Sequence, residues 1–198
     1  GIGGAGTGLS ILGAQAGITL TNVDISGTAT GIDNRLGLAA GDVTVDAASS
    51  ITNTTTIAVN LLQNASDFSF AGPISETDAA GAGIVVDQMS GAAAFSGAVA
   101  LNTGASGGVA VTASTGSVAF TGGLNIDTTT GTGFSASGGG TVMVAATAGD
   151  ESVTSTSGQA VNLNGVAIGA GGISFDSLSS AGSGSTGVTL AGVRGGAF

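Results

Sequence analysis

Two aspartates, Asp42 and Asp67, are the residues of this sequence best placed to do chemistry together. They are 25 residues apart, and each stands directly before a short triplet of alternating character, Val43-Thr44-Val45 and Phe68-Ser69-Phe70. If equivalent segments stack in register, the two carboxylates lie in one outward column about 5 Å apart. That spacing suits the carboxylate pair of a retaining glycosidase, or a shared cation such as calcium.

Neighbouring positions argue against both forms of that chemistry. The next segment has Ala92 at the equivalent place, and the chain has no Tyr or Trp to stack against a sugar ring. We therefore expect solvated corner carboxylates and no enzymatic activity. Asp42 and Asp67 remain a candidate cation pair, and a carbohydrate-active enzyme remains the third-ranked alternative. Two acidic loops, Glu76-Thr77-Asp78 and Asp150-Glu151, are further calcium candidates, but neither has EF-hand or nonapeptide-repeat spacing. No cofactor is expected.

The residues that the chain lacks exclude several classes of function. Without Cys or His it has no disulfide, no thiolate metal site and no imidazole catalysis. Its only cations are Arg35 and Arg194 against 12 acidic residues, for a net charge of −10. Nucleic acid is therefore not an expected partner. No apolar run reaches the roughly 18 residues of a membrane span, so no membrane insertion is expected.

The elements that position these residues repeat about every 25 residues. Each unit has three short segments in which large apolar residues alternate with small or polar ones, the pattern of half-buried strands. The first segments centre on Leu9/Ile11, Ile32, Ile57/Val59, Ile84/Val86, Val109/Val111, Phe134/Ala136, Val161/Leu163 and Val188/Leu190. The second segments place Ile18, Val43, Phe68, Ala93, Val118, Val142 and Ile173 in one predicted inward column.

Three strands per unit predict a single domain over 1–198, a right-handed parallel β-helix (β-solenoid) of about eight coils. The alternative is an antiparallel β-sandwich or barrel. The near-constant unit length and the lack of Asn-Gly or Asp-Gly hairpin signals between segments disfavour it.

Several glycine-rich segments carry a resemblance to a known class of proteins. The clearest are the segments 116–134, 138–142 and 168–178. They resemble repeats of very large secreted bacterial β-strand-repeat proteins, grouped with autotransporter-like and filamentous-haemagglutinin-like adhesins. The resemblance implies a parallel β-helix, an extracellular or cell-surface location and a structural role, with no catalytic residues to transfer.

A solenoid with uncovered ends invites another chain to pair with it. We expect this chain to be either a segment of a longer solenoid stalk or a subunit that stacks end to end into a fibre. The residues expected to carry self-association are Leu9, Ile11, Val188, Leu190, Arg194 and Phe198. The uncharged outward column from Thr19 to Ser174 offers a further interaction face. The alternative function is an adhesin passenger that presents one face to a glycan or protein ligand on a host surface.

Overall fold

Short segments of alternating apolar and polar residues form strands along the whole chain. The computed structural model describes residues 1–77, 81–147, 151–184 and 186–198. Within these ranges the chain forms 24 strands and no helix. The strands make three sheets of eight, and each sheet takes every third strand of the sequence.

The three sheets, A, B and C, are named in the order in which the chain enters them. Sheet A contains β1 (Ile2–Gly3), β4 (Asp24–Ser26), β7 (Ser50–Thr52), β10 (Ile74–Glu76), β13 (Val99–Gly104), β16 (Leu124–Thr128), β19 (Glu151–Ser155) and β22 (Ser177–Ser180). Sheet B contains β2 (Thr7–Leu12), β5 (Thr30–Arg35), β8 (Ile57–Leu62), β11 (Ala82–Asp87), β14 (Val109–Thr112), β17 (Phe134–Ser137), β20 (Val161–Asn164) and β23 (Val188–Ala191). Sheet C contains β3 (Ile18–Leu20), β6 (Val43–Val45), β9 (Phe68–Phe70), β12 (Ala92–Phe95), β15 (Ser117–Phe120), β18 (Thr141–Val144), β21 (Ala167–Ile173) and β24 (Arg194–Gly195).

The predicted fold class is confirmed. Neighbouring strands within each sheet pair in parallel, for example β2 with β5 and β5 with β8, which rules out the antiparallel sandwich. Three consecutive strands form one layer, so that layer 1 is β1–β3 and layer 8 is β22–β24. Eight layers correspond to about seven full turns of the solenoid, slightly fewer than the eight coils expected.

One predicted register is wrong. The sequence pattern places Ile173 beside Val142, but Val142 pairs with Ile168, and Ile173 pairs with Val144 instead. The displacement arises because β21 contains a bulge at 169–172, where four residues stand opposite the single residue Met143. The strand predicted at 173–175 therefore ends at Ile173.

The core is a set of inward columns enclosed by the three sheets. In sheet C, Val43, Phe68, Ala93, Val118 and Val142 stack in consecutive layers and are all buried. All seven phenylalanines form one continuous series of ring contacts, with centroid distances from 4.9 to 6.5 Å. The series runs Phe70, Phe68, Phe95, Phe120, Phe134, Phe175 and Phe198. It follows that aromatic packing reaches from layer 3 to the last residue of the chain.

The corner between sheets B and C begins with the same backbone conformation in every layer. The residue directly after each sheet B strand has a positive φ, between 48° and 79°. These residues are Gly13, Leu36, Gln63, Gln88, Ala113, Gly138, Gly165 and Gly192. Four of the eight are not glycine, although this conformation costs an L-residue roughly 1 kcal/mol. Stacking on neighbouring layers, rather than residue type, therefore sets the corner.

Candidate functional site

The last layer presents apolar side chains that are buried in the layer before it. Val188 and Leu190 of β23 pair with Val161 and Leu163 of β20, which are both fully buried. In contrast, Val188 is 36% exposed and Leu190 is 48% exposed. The side chains of layer 8 have the inward orientation of the core columns, but nothing in the described part of the chain covers them.

Two further residues complete this surface. Leu178 of β22 stacks on the buried Val153 and is itself exposed. Phe198 is 45% exposed and contacts Phe175 at a centroid distance of 6.4 Å. We call the surface made by Leu178, Val188, Leu190 and Phe198 the C-terminal face. Leu178 was not among the predicted self-association residues, although it continues the apolar column of Ile126 and Val153.

The first layer presents a second apolar surface at the other end of the solenoid. Leu9 and Ile11 of β2 pair with Ile32 and Asn34 of β5, with no strand on their other side within the described residues. Ile11 is buried, Leu9 is half-buried and Ile2 is exposed. We call the surface made by Ile2, Leu9, Ile18 and Leu20 the N-terminal face. The predicted self-association residues are thus divided between the two ends, and self-association itself stays a prediction.

Arg194 lies beside the C-terminal face. It begins β24, pairs with Ala167 of β21 and is exposed. Among the described residues it forms no ion pair, whereas Arg35 pairs with Asp33 at 2.6 Å. Asp33 also accepts a hydrogen bond from Asn60 Nδ2 at 2.7 Å, so its charge is already compensated within the chain.

Asp42 and Asp67 lie in one outward column, as predicted, and each bonds the layer that follows it. Asp42 Oδ1 accepts the Asp67 N–H at 3.0 Å, and Asp67 Oδ1 accepts the Ala92 N–H at 2.7 Å. Both side chains are exposed. One oxygen of each carboxylate therefore holds the start of the next sheet C strand. The cation pair stays a prediction, and no group of three or more metal-ligating side chains occurs among the described residues.

The two acidic loops use their glutamates inside the protein. Glu76 is buried and its Oε2 accepts the Thr54 N–H at 2.6 Å. Glu151 is also buried, and its Oε1 accepts the Thr147 N–H at 3.0 Å. The other predicted members, Asp78 and Asp150, lie outside the described residues. The glutamate carboxylate of each loop thus accepts a hydrogen bond from a backbone N–H of the same chain.

The outer side faces of the solenoid are not uniform. On sheet C the outward column runs through Thr44, Ser69, Ala94, Ala119 and Met143. The bulge lies over Met143, since a Cβ added at Gly171 would come within 2.5 Å of the Met143 sulfur. The predicted interaction face therefore ends at layer 6, and Ser174, its predicted next member, lies after the end of β21. On sheet A a shallow groove of about 190 Å³ is lined by residues that include Ser75, Asn102, Asn125 and Asp127.

An apolar patch that the sequence analysis missed lies at the B–C corner of the first two layers. Leu12 is 71% exposed, Leu38 is 55% exposed, and Leu36 lies between them in sequence and is also exposed. We call Leu12, Leu36 and Leu38 the lateral patch. Its leucines belong to a strand end and a corner, where the alternating pattern gives no signal.

Comparisons with known proteins identify no relative. Family models, curated proteins and solved structures each gave no match to this chain. No helix of the described residues has the length and apolar character needed to cross a membrane. The structure establishes the architecture of the chain, a parallel β-solenoid with three strands in each layer.

Proposed function

We propose that this protein is a structural, non-enzymatic β-solenoid whose end faces join copies end to end, as a fibre or as part of a stalk on a bacterial cell surface. The observation that carries the proposal is the C-terminal face. It presents side chains of the core columns in an exposed position, and an N-terminal face of matching architecture lies at the opposite end of the same chain.

The energetics favour this kind of contact. Covering a half-exposed leucine or phenylalanine stabilises a contact by about 1 kcal/mol. The edge strands of layers 1 and 8 add backbone N–H and C=O groups that a parallel partner strand satisfies. A contact between two different ends does not close on itself, so it generates a filament rather than a dimer.

Electron microscopy over a concentration series tests the proposal. We expect filaments whose axial repeat is about 38 Å, because one copy contributes eight layers at about 4.8 Å each. Leu190→Lys should abolish them by placing a charge in the C-terminal face. Leu38→Lys is the matched control, because Leu38 is also exposed but lies on the lateral patch.

Two outcomes would contradict the proposal. The first is a wild-type chain that stays a single rod at every concentration. The second is equal loss of filaments in both lysine variants, which would assign assembly to the sides of the solenoid or to nonspecific association.

A further inference from the structure

Arg194 belongs to the same outward column as Asp42 and Asp67. The strand pairs of sheet C give this column directly from Ala92 to Arg194. Its first three members each stand one residue before the paired residues Ile18, Val43 and Phe68. It runs Gly17, Asp42, Asp67, Ala92, Ser117, Thr141, Ala167 and Arg194. The column therefore begins with a glycine followed by two carboxylates and ends with a cation.

An end-to-end contact that continues the solenoid has a defined register. In sheet B, the inward column that begins with Leu9 in layer 1 ends with Val188 in layer 8. The column that begins with Ile11 ends with Leu190. Continuing these columns sets Leu9 of a second copy beside Val188, which matches apolar residues across the junction. Sheet A contributes less apolar contact to the junction, because the same register sets Ile2 of the second copy beside Asp176.

The same register brings opposite charges together in sheet C. Arg194 would lie beside Gly17 of the second copy, which has no side chain to obstruct it, and Asp42 would follow in the next layer. The two Cα atoms would be two strand spacings apart, about 9.6 Å, which an extended arginine and an aspartate bridge. We propose that copies of this chain join in this register and that Arg194 of one copy forms an ion pair with Asp42 of the next. This inference rests on the end-to-end assembly proposed above.

Charge complementarity supports this occupant of the C-terminal face. Asp42 is exposed, and its hydrogen bond to the Asp67 N–H uses Oδ1 only, which leaves Oδ2 for a partner. The first 46 residues hold four aspartates, Asp24, Asp33, Asp42 and Asp46, with Arg35 as their only cation. The N-terminal end of a second copy is therefore acidic. Arg194, which would face it, has no ion pair within the described part of its own chain.

Charge reversal tests the pair in the full chain. At low ionic strength, Arg194→Glu and Asp42→Arg should each raise the critical concentration for filament formation by about ten-fold, since each places like charges opposite one another. The double variant R194E/D42R should restore the critical concentration to within about three-fold of the wild type. Sedimentation of filaments over a protein and salt series measures these values.

Asp67→Arg is the matched control. Asp67 occupies the same column and also accepts a backbone N–H. Its Cα atom in the second copy would lie three strand spacings, about 14 Å, from that of Arg194, which is too far for an ion pair. If D42R and D67R raise the critical concentration equally, or the double variant is not rescued, the ion pair is wrong while end-to-end assembly stands. If wild-type filaments do not form, both proposals are wrong.

Discussion

The corner between sheets B and C is built in two different ways in layers 3 and 6. In layer 3 a buried amide holds it: Asn64 Oδ1 accepts the Gly37 N–H, and Nδ2 donates to the Asn34 carbonyl, both at 2.7 Å. In layer 6 three consecutive glycines, 138–140, all have positive φ and lie against the preceding corner. The corner is thus secured either by a side chain that bridges layers or by a close backbone approach that leaves no room for one.

Replacement of the bridging amide should give the largest effect on stability. Asn64→Ala leaves the Gly37 N–H and the Asn34 C=O without partners in a buried corner. We expect the free energy of unfolding to fall by about 2–4 kcal/mol, measured by urea denaturation.

Gln63→Ala is the control for this variant. Gln63 is the neighbouring amide residue, but it is exposed and its side chain bonds only Gln88 Oε1, at 3.3 Å. Its removal should change stability by no more than about 0.5 kcal/mol. Equal effects of the two substitutions would show that the buried bonds of Asn64 do not hold the corner.

A side chain added to the glycine-built corner should have the second-largest effect. A Cβ at Gly140 would lie 2.8 Å from the Ser114 carbonyl oxygen and 3.0 Å from that of Gly116, at a φ of +72°. Gly140→Ala should therefore cost about 2–3 kcal/mol, part for the left-handed backbone and part for the contact with backbone atoms.

Gly165→Ala separates these two contributions. Gly165 has a similar φ of +68°, but a Cβ there meets nothing within 4 Å. It should cost only about 1 kcal/mol, the cost of the left-handed backbone alone. Comparable losses from the two substitutions, measured by thermal unfolding, would show that close packing does not shape the corner of layer 6.

The sequence predicts the strands better than the corners, for a physical reason. Alternation of apolar and polar residues reports which side chains face the core, so strand order and most inward columns were predicted correctly. The bulge of β21 was missed because Gly169, Ala170, Gly171 and Gly172 have no large side chains to show which face they occupy. The left-handed corners were missed where Leu, Gln or Ala stands in place of Gly.

Polar residues inside the columns were missed for the complementary reason. Asn34 is fully buried between Ile11 and Leu61, and neither polar atom of its amide has a hydrogen-bond partner among the described residues. Glu151 likewise occupies the column of Leu124. Alternation alone cannot show that such residues face inward, because a polar residue in a strand normally indicates the solvent side. The places of Leu9, Ile11, Val188 and Leu190 in the first and last layers follow from the apolar columns that they continue, and their self-association stays a prediction.

The corner between sheets C and A extends the comparison to a half-buried side chain, that of Asp46. We expect its replacement to have the smallest effect on stability. Asp46 Oδ1 accepts the Ser49 hydroxyl at 2.7 Å and the Asn22 N–H at 3.1 Å. The Ser49 hydroxyl, and after it the Asn22 N–H, lowers the pKa of Asp46 below its ordinary value of 3.8. A carboxylate whose pKa is lowered by folding stabilises the protein above its unfolded-state pKa, and this contribution is lost as the pH falls through the folded-state pKa.

Asp46→Asn should therefore slightly lower the Tm at pH 7, and the difference from the wild type should disappear well below pH 3.8. Thermal unfolding followed by circular dichroism from pH 2 to pH 7 measures this. Ser49→Ala removes the larger cause of the shift, so the pH-dependent difference between S49A and S49A/D46N should be smaller than that between the wild type and D46N. A difference of the same size in both backgrounds would show that Ser49 does not set the charge state of this corner. Because the carboxylate is solvated, its loss should lower the stability of the protein less than the loss of the buried Asn64 side chain does. Such a result would mean that burial decides how strongly a side chain holds its corner.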